Sequence, residues 1–139
     1  MRFAGYAAVF DRPDSGGDVV RAGAFARAVA QGAVGVPLLW QHDPKRPVGV
    51  IERIAEDARG LRVIGRLSVD TQNAREAAAL LKERALNGLS FGYRVRASKP
   101  GRGTVKRELT DVDLVEISLV TFPMQRLARV HALEAQDVQ

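Results

Sequence analysis

The run Leu114-Val115-Glu116-Ile117-Ser118-Leu119-Val120-Thr121-Phe122, closed by Pro123, is hard to place anywhere but in a sheet. Its β-branched and large apolar residues suit a pleated, half-buried surface, and a proline ends such a run because it has no N–H to give the ladder. A period of two puts Glu116 and Ser118 on one face with Leu114 and Val120. A carboxylate inside a strand like this must be paired, lie on an outer face or do chemistry, because burying it unpaired is costly. The pattern alone leaves an exposed outer face and a functional role equally open.

The rest of the chain repeats the theme of short strands. Phe3–Phe10 reads as a strand, followed by the turn cluster Asp14-Ser15-Gly16-Gly17-Asp18. Val36–Trp40 is a strand that leads to His42, and Asp43-Pro44 then turns the chain away. Val48–Ile54 and Leu61–Leu67 flank Glu56–Gly60, a hairpin whose glycine can supply a positive φ. Its second arm alternates cleanly, with Leu61, Val63, Gly65 and Leu67 opposite Arg62, Ile64 and Arg66. A second hairpin joins Leu89–Ala97 to Val105–Leu109 through Pro100-Gly101-Arg102-Gly103.

Two segments read as helices. Ala24–Gln31 places Phe25, Ala28 and Val29 on one face and Gly32 at its stop. Ala74–Leu86 carries the small apolar stripe Ala74, Ala77, Ala78, Leu81 and Ala85, with Asn73 or Asp70 as its cap and Gly88 as the left-handed residue that ends it. From about Arg126 the tail is polar and alanine-rich, a fraying helix or a loose end. The whole reads as one domain over residues 1–139, mainly β with helices, an α+β or barrel-like sheet with two or three helices outside it.

Composition narrows the function classes. No apolar run is long enough for a membrane span, and the N-terminus carries Asp11 and Asp14 where a signal peptide needs an apolar stretch. The chain has no cysteine, which removes disulfides, thiolate catalysis and cysteine zinc sites, and fits a reducing cytoplasm. With 21 Lys and Arg against 16 Asp and Glu, the net charge is +5. Only Lys99–Arg107 is a basic cluster, and it reads as a solvated hairpin tip rather than a nucleic-acid site. There is no glycine-rich phosphate loop, and His42 and His131 have no partner at metal-ligand spacing. Glu52, Glu56 and Asp57 read as the solvent face of one hairpin rather than as a glycosidase pair. No cofactor or metal is expected.

Nucleophilic catalysis needs a hydroxyl, a base and a group that orients the base. In Gly88-Leu89-Ser90-Phe91-Gly92, Ser90 lies between two glycines on its own face, in a gap a substrate backbone could enter. A small filler at a strand crossing explains the same pattern, and a satisfied strand-end imidazole explains His42.

The ordered set "GYAAVF…SGGDVVRAGAF", "PLLWQHDPKRPVGVI", "AREAAALLKERALNGLSFGYRV" and "VDLVEISLVTFP" resembles the prohead maturation proteases of tailed bacteriophages, from about Ala4 to Arg129. These are serine peptidases thought to share a fold with the herpesvirus capsid-assembly protease. The resemblance implies a small, mostly antiparallel β-barrel with surrounding helices. It implies a catalytic set of His42, Ser90 and Glu116, in which Ser90 attacks, His42 moves the proton and Glu116 holds the imidazole. Herpesvirus relatives use a second histidine as third member; His131 lies in the polar tail, so Glu116 is preferred.

The implied substrate is the scaffolding segment of the major capsid protein, or a separate scaffold, cut inside assembling procapsids in the bacterial cytoplasm, together with the protease itself. The particle could be a phage or a domesticated relative, and a homo-oligomer is open. Family members often carry a longer C-terminal region than this chain. Two other readings stand beside this one: an inactive capsid-assembly module of the same fold, and a basic nucleic-acid-binding β-barrel. Few aromatic residues interleave with the basic ones, which counts against the last.

Overall fold

The computed structural model describes residues 1–134. In chain order the elements are β1 (Arg2–Val9), β2 (Asp18–Val20), α1 (Ala26–Gln31), β3 (Pro37–Trp40), β4 (Asp43–Glu56), β5 (Gly60–Leu67), α2 (Gln72–Lys82), β6 (Gly88–Pro100), β7 (Arg107–Val120) and β8 (Val130–Glu134). The fold is α+β and mostly strand.

The sheet runs β2-β7-β3-β4-β5-β1-β8, with β6 paired to β7 off this path. Strand β7 is its hub. β6 lies antiparallel along nearly its whole length. The short strands β2 and β3 run parallel to it at Arg107–Leu109 and Ile117–Leu119. β7 is one strand and not the two that the sequence suggests, because its pairing with β6 continues across three register shifts, which break the period-two burial along it. Leu109, Val112 and Ile117 are buried, while the intervening Asp111 and Asp113 reach Arg27 and Arg96.

The interior is built from Phe3, Phe25, Leu38, Leu61, Val63, Leu89 and Leu119, each at most 2% exposed. Burying side chains of this size contributes roughly 1.5–3 kcal/mol apiece. Helix α1 lies against β4 and β7, and α2 against β4 and β5. The apolar stripe of α2 buries Ala74, Ala77 and Leu81 as the periodicity requires.

Several boundaries differ from the sequence reading, each for a local reason. Thr71, rather than Asn73 or Asp70, caps α2: its hydroxyl accepts from Ala74 N at 3.3 Å. The helix stops at Lys82, with Arg84 left-handed at φ 62°. Gly88 opens β6 instead, where an added Cβ would meet Val120 O at 2.5 Å and the Pro123 ring. The tail is neither helical nor loose up to Glu134, because β8 pairs with β1 from Gly5 to Arg2. Its last residues, 135–139, lie outside the described residues. The reversal after β3 is not at Asp43-Pro44: Trp40 already pairs with Asp43, so Gln41 and His42 form a two-residue hairpin loop.

Candidate active site

The β6–β7 register sets the site. Ser90 stands opposite Ser118, and Gly92 opposite Glu116. In a strand pair such opposite residues share a face, so Ser90, Gly92, Glu116 and Ser118 form one small patch. Glu116 is 8% exposed and Ser118 fully buried, which rules out an outer-face carboxylate. Glu116 is paired twice. Its Oε1 lies 2.5 Å from His42 Nδ1, and its Oε2 accepts the Ser118 hydroxyl at 2.5 Å.

Gly92 makes room for that carboxylate. A Cβ at position 92 would sit 2.5 Å from Glu116 Oε1 and 3.0 Å from its Cγ. The glycines on either side of Ser90 thus make room for Glu116 at Gly92 and for Pro123 at Gly88. Gly92→Ala is expected to push the carboxylate away from His42 and to cost roughly 1–3 kcal/mol in a urea melt, the usual size of overpacking. The imidazole should then titrate closer to an ordinary histidine in an NMR titration; an unchanged midpoint would show that Glu116 tolerates the methyl.

His42 is delivered by its turn. Gln41 and His42 both have positive φ, 51° and 61°, as two-residue hairpin loops require. Left-handed residues other than glycine cost roughly 1–3 kcal/mol each and persist where their surroundings hold them. Four hydrogen bonds to β7 and its exit do so here. Gln41 N donates to Leu119 O at 2.9 Å. The Gln41 amide exchanges bonds with Thr121, at 2.7 Å to its Oγ1 and 3.2 Å from its N–H. His42 N donates to Ser118 Oγ at 3.1 Å. Ser118 thus joins the histidine's backbone to the carboxylate that meets its ring.

The Glu116 hydrogen bond raises the His42 pKa above the usual histidine value, and partial burial offsets part of that. Ser90 is 8% exposed. It lines, with His42, a cavity of about 140 Å³ that also takes in Ala7, Asp14, Leu89, Phe91, Tyr93, Met124 and Gln125.

Other candidates are occupied elsewhere. His131 lies in β8, with its ring 5.7 Å from that of Tyr6. Glu52 pairs with Arg2 and Arg66. Glu56 accepts the Gly23 and Phe25 N–H groups at the start of α1, and Asp57 accepts from the Tyr6 hydroxyl. The described residues contain no group of three or more metal-ligating side chains.

Sequence reasoning placed Ser118 on the face of Glu116 without a role, and treated Gly92 only as a gap. The needed signal is the cross-strand register, which fixes Gly92 against Glu116 and Ser90 against Ser118.

The chain is 33% identical to the prohead protease of Enterobacteria phage HK97 over 137 residues, which is 97% of this chain and 61% of that protein. It therefore spans about three fifths of its relative's length. Among solved structures, it resembles the KSHV protease in complex with a hexapeptide phosphonate inhibitor, with a TM-score of 0.62 at 14% identity. That match covers 93% of this chain and 63% of the KSHV chain, and at this identity it shows the fold alone. The family Caudovirus prohead serine protease matches across residues 1–139, and the chain belongs to it.

Proposed function

We propose that the chain is a serine endopeptidase in which Ser90 is the nucleophile, His42 the general base and acid, and Glu116 the group that orients the imidazole. The observation that carries this reading is the 2.5 Å contact of His42 Nδ1 with Glu116, beside a cavity that His42 and Ser90 both line. With Nδ1–H donated to Glu116, Nε2 is left unprotonated to take the Ser90 proton as Oγ attacks the scissile carbonyl. His42 then gives that proton to the leaving amine. The Glu116 carboxylate stabilises the imidazolium formed between these steps. Ser90 makes no side-chain hydrogen bond among the described residues; in free enzymes such contacts often tighten only when substrate binds.

The substrate in this reading is the scaffolding segment of the major capsid protein, or a separate scaffold, inside the assembling procapsid, and the protease itself. Family membership supports it. Confinement within a shell raises the effective concentration, so a modest intrinsic rate suffices. The chain acts as one protease domain, and its sheet closes toward a barrel. That closure is supported by the Gly88–Arg129 bridge and by Leu89 N to Ala128 O at 2.9 Å and Val130 N to Asn87 O at 2.8 Å.

Co-expression with the major capsid protein of the same source, followed by intact-mass measurement of the capsid protein, tests the reading. A shortened capsid protein is expected with the wild-type chain and the full-length one with Ser90→Ala. Full-length capsid protein in both would contradict it.

A further inference from the structure

Among the described residues, Asp14 is the sole carboxylate lining the cavity that Ser90 and His42 share. Its place there is fixed. Oδ1 accepts the N–H groups of Gly16 at 2.8 Å and Asp18 at 2.9 Å. The turn that carries it is pinned to the opposite wall, Met124 and Gln125. Ser15 N donates to Met124 O at 2.9 Å, and Gln125 Nε2 donates to Arg12 O and Pro13 O at 3.0 and 3.3 Å.

The charge on Asp14 has no cationic partner among the described residues, and its Oδ2 makes no hydrogen bond there. Its acidic neighbour differs. Asp18 is bound by Arg107 through two contacts of 3.1 and 2.9 Å and by the Tyr93 hydroxyl at 3.2 Å. Arg12 lines an adjoining recess with Asp14 but forms no ion pair with it among the described residues. Ala7, Leu89, Phe91 and Met124 give the cavity an apolar lining beside this one uncompensated carboxylate.

We infer that the cavity receives the lysine or arginine side chain of a substrate residue next to the scissile bond, with Asp14 as the residue that selects it. The inference rests on the endopeptidase reading above. Long basic side chains suit such a site because their methylene stems pack on apolar walls while the charged head reaches a polar partner. An acidic side chain would meet Asp14 without a counter-charge, and an aliphatic one would leave the carboxylate desolvated and unpaired, so both are disfavoured.

The experiment is digestion of a proteome-derived peptide library by the full chain, with cut sites read by mass spectrometry, beside Asp14→Asn. Asparagine keeps a side-chain carbonyl to accept from Gly16 and Asp18, so the turn is retained while the charge is lost. The expected result is enrichment of Lys or Arg at one position flanking the cut. For those peptides kcat/KM in Asp14→Asn should fall by about 10- to 100-fold, the size of a lost charge-assisted hydrogen bond, while cuts beside apolar residues change little. Asp14→Lys should move the preference toward Asp or Glu. Cutting without basic enrichment, or an equal loss on every peptide in Asp14→Asn, overturns the selection by Asp14 alone. No cutting of any peptide by the wild-type chain overturns the endopeptidase reading as well.

Discussion

Ser90→Ala, His42→Ala and the double variant are each expected to lose about 10⁵–10⁶-fold in kcat, with the double variant no slower than either single one. The equality is the informative part. If Ser90 Oγ is the nucleophile only when His42 takes its proton, removing either group removes the same step, and the second removal takes nothing more. What remains comes from binding and carbonyl polarisation, which neither substitution touches. Single-turnover kinetics on a peptide spanning the capsid cleavage site would measure all three. Losses that multiply in the double variant would show that the two residues act independently. Alanine fits within the space of Ser90, whereas His42→Ala leaves the buried Glu116 carboxylate with Ser118 alone, so a thermal melt of each variant accompanies the kinetics.

Glu116→Gln is the second large effect, expected at about 10³–10⁴-fold, the scale of losing the correct imidazole tautomer in a serine protease. A glutamine can present its NH₂ to Nδ1, which would put the ring proton on Nε2, where it blocks uptake of the serine proton. Ser118 would also lose its carboxylate acceptor.

The variant has a pH signature too. The wild-type His42 pKa is raised, chiefly by the hydrogen bond to Glu116, and the base works only when neutral. The rising limb of kcat/KM is therefore expected above the ordinary histidine value in the wild type and should move to lower pH in Glu116→Gln. The stability linkage runs the other way. A raised histidine pKa contributes stability that is fully present below the unfolded value and is lost as pH rises through the folded value. Urea midpoints of the two chains should therefore converge as pH rises through that window. An unshifted limb together with a small rate loss would reduce Glu116 to a structural partner.

Much of the sheet is legible in the chain because period-two patterning needs no partner to be recognised. Leu61–Leu67 alternates, and the structure buries Leu61, Val63, Gly65 and Leu67 while leaving Arg62, Ile64 and Arg66 half-exposed. The stripe of α2 is legible for the same reason. What escapes is what tertiary contact decides. Strand β2 has three residues and follows a glycine turn, and it exists because β7 lies alongside it. Strand β8 begins in polar sequence and is held by β1. The reversal at Gln41-His42 contains neither glycine nor asparagine, the residues that usually mark such loops. Its left-handed geometry comes from hydrogen bonds to Leu119, Thr121 and Ser118, residues far along the chain.

The site divides along the same line. His42, Ser90 and Glu116 each stand out as polar residues in apolar or glycine-flanked settings, and the structure joins His42 to Glu116 and sets Ser90 in the cavity that His42 lines. Gly92 and Ser118 matter through register and hydrogen bonding, which no local pattern displays. Asp14 looks like turn chemistry in the sequence and is that as well, through its bonds to Gly16 and Asp18.

The central claim is that Ser90 is a nucleophile activated by His42. Incubating the wild-type chain, Ser90→Ala and His42→Ala with a fluorophosphonate, followed by intact-mass and peptide mapping, tests it most directly. The account predicts one phosphonyl adduct on Ser90 in the wild type, none in Ser90→Ala, and a rate far lower in His42→Ala. An adduct on Ser118 or another hydroxyl, or labelling of Ser90 at the same rate without His42, would contradict it.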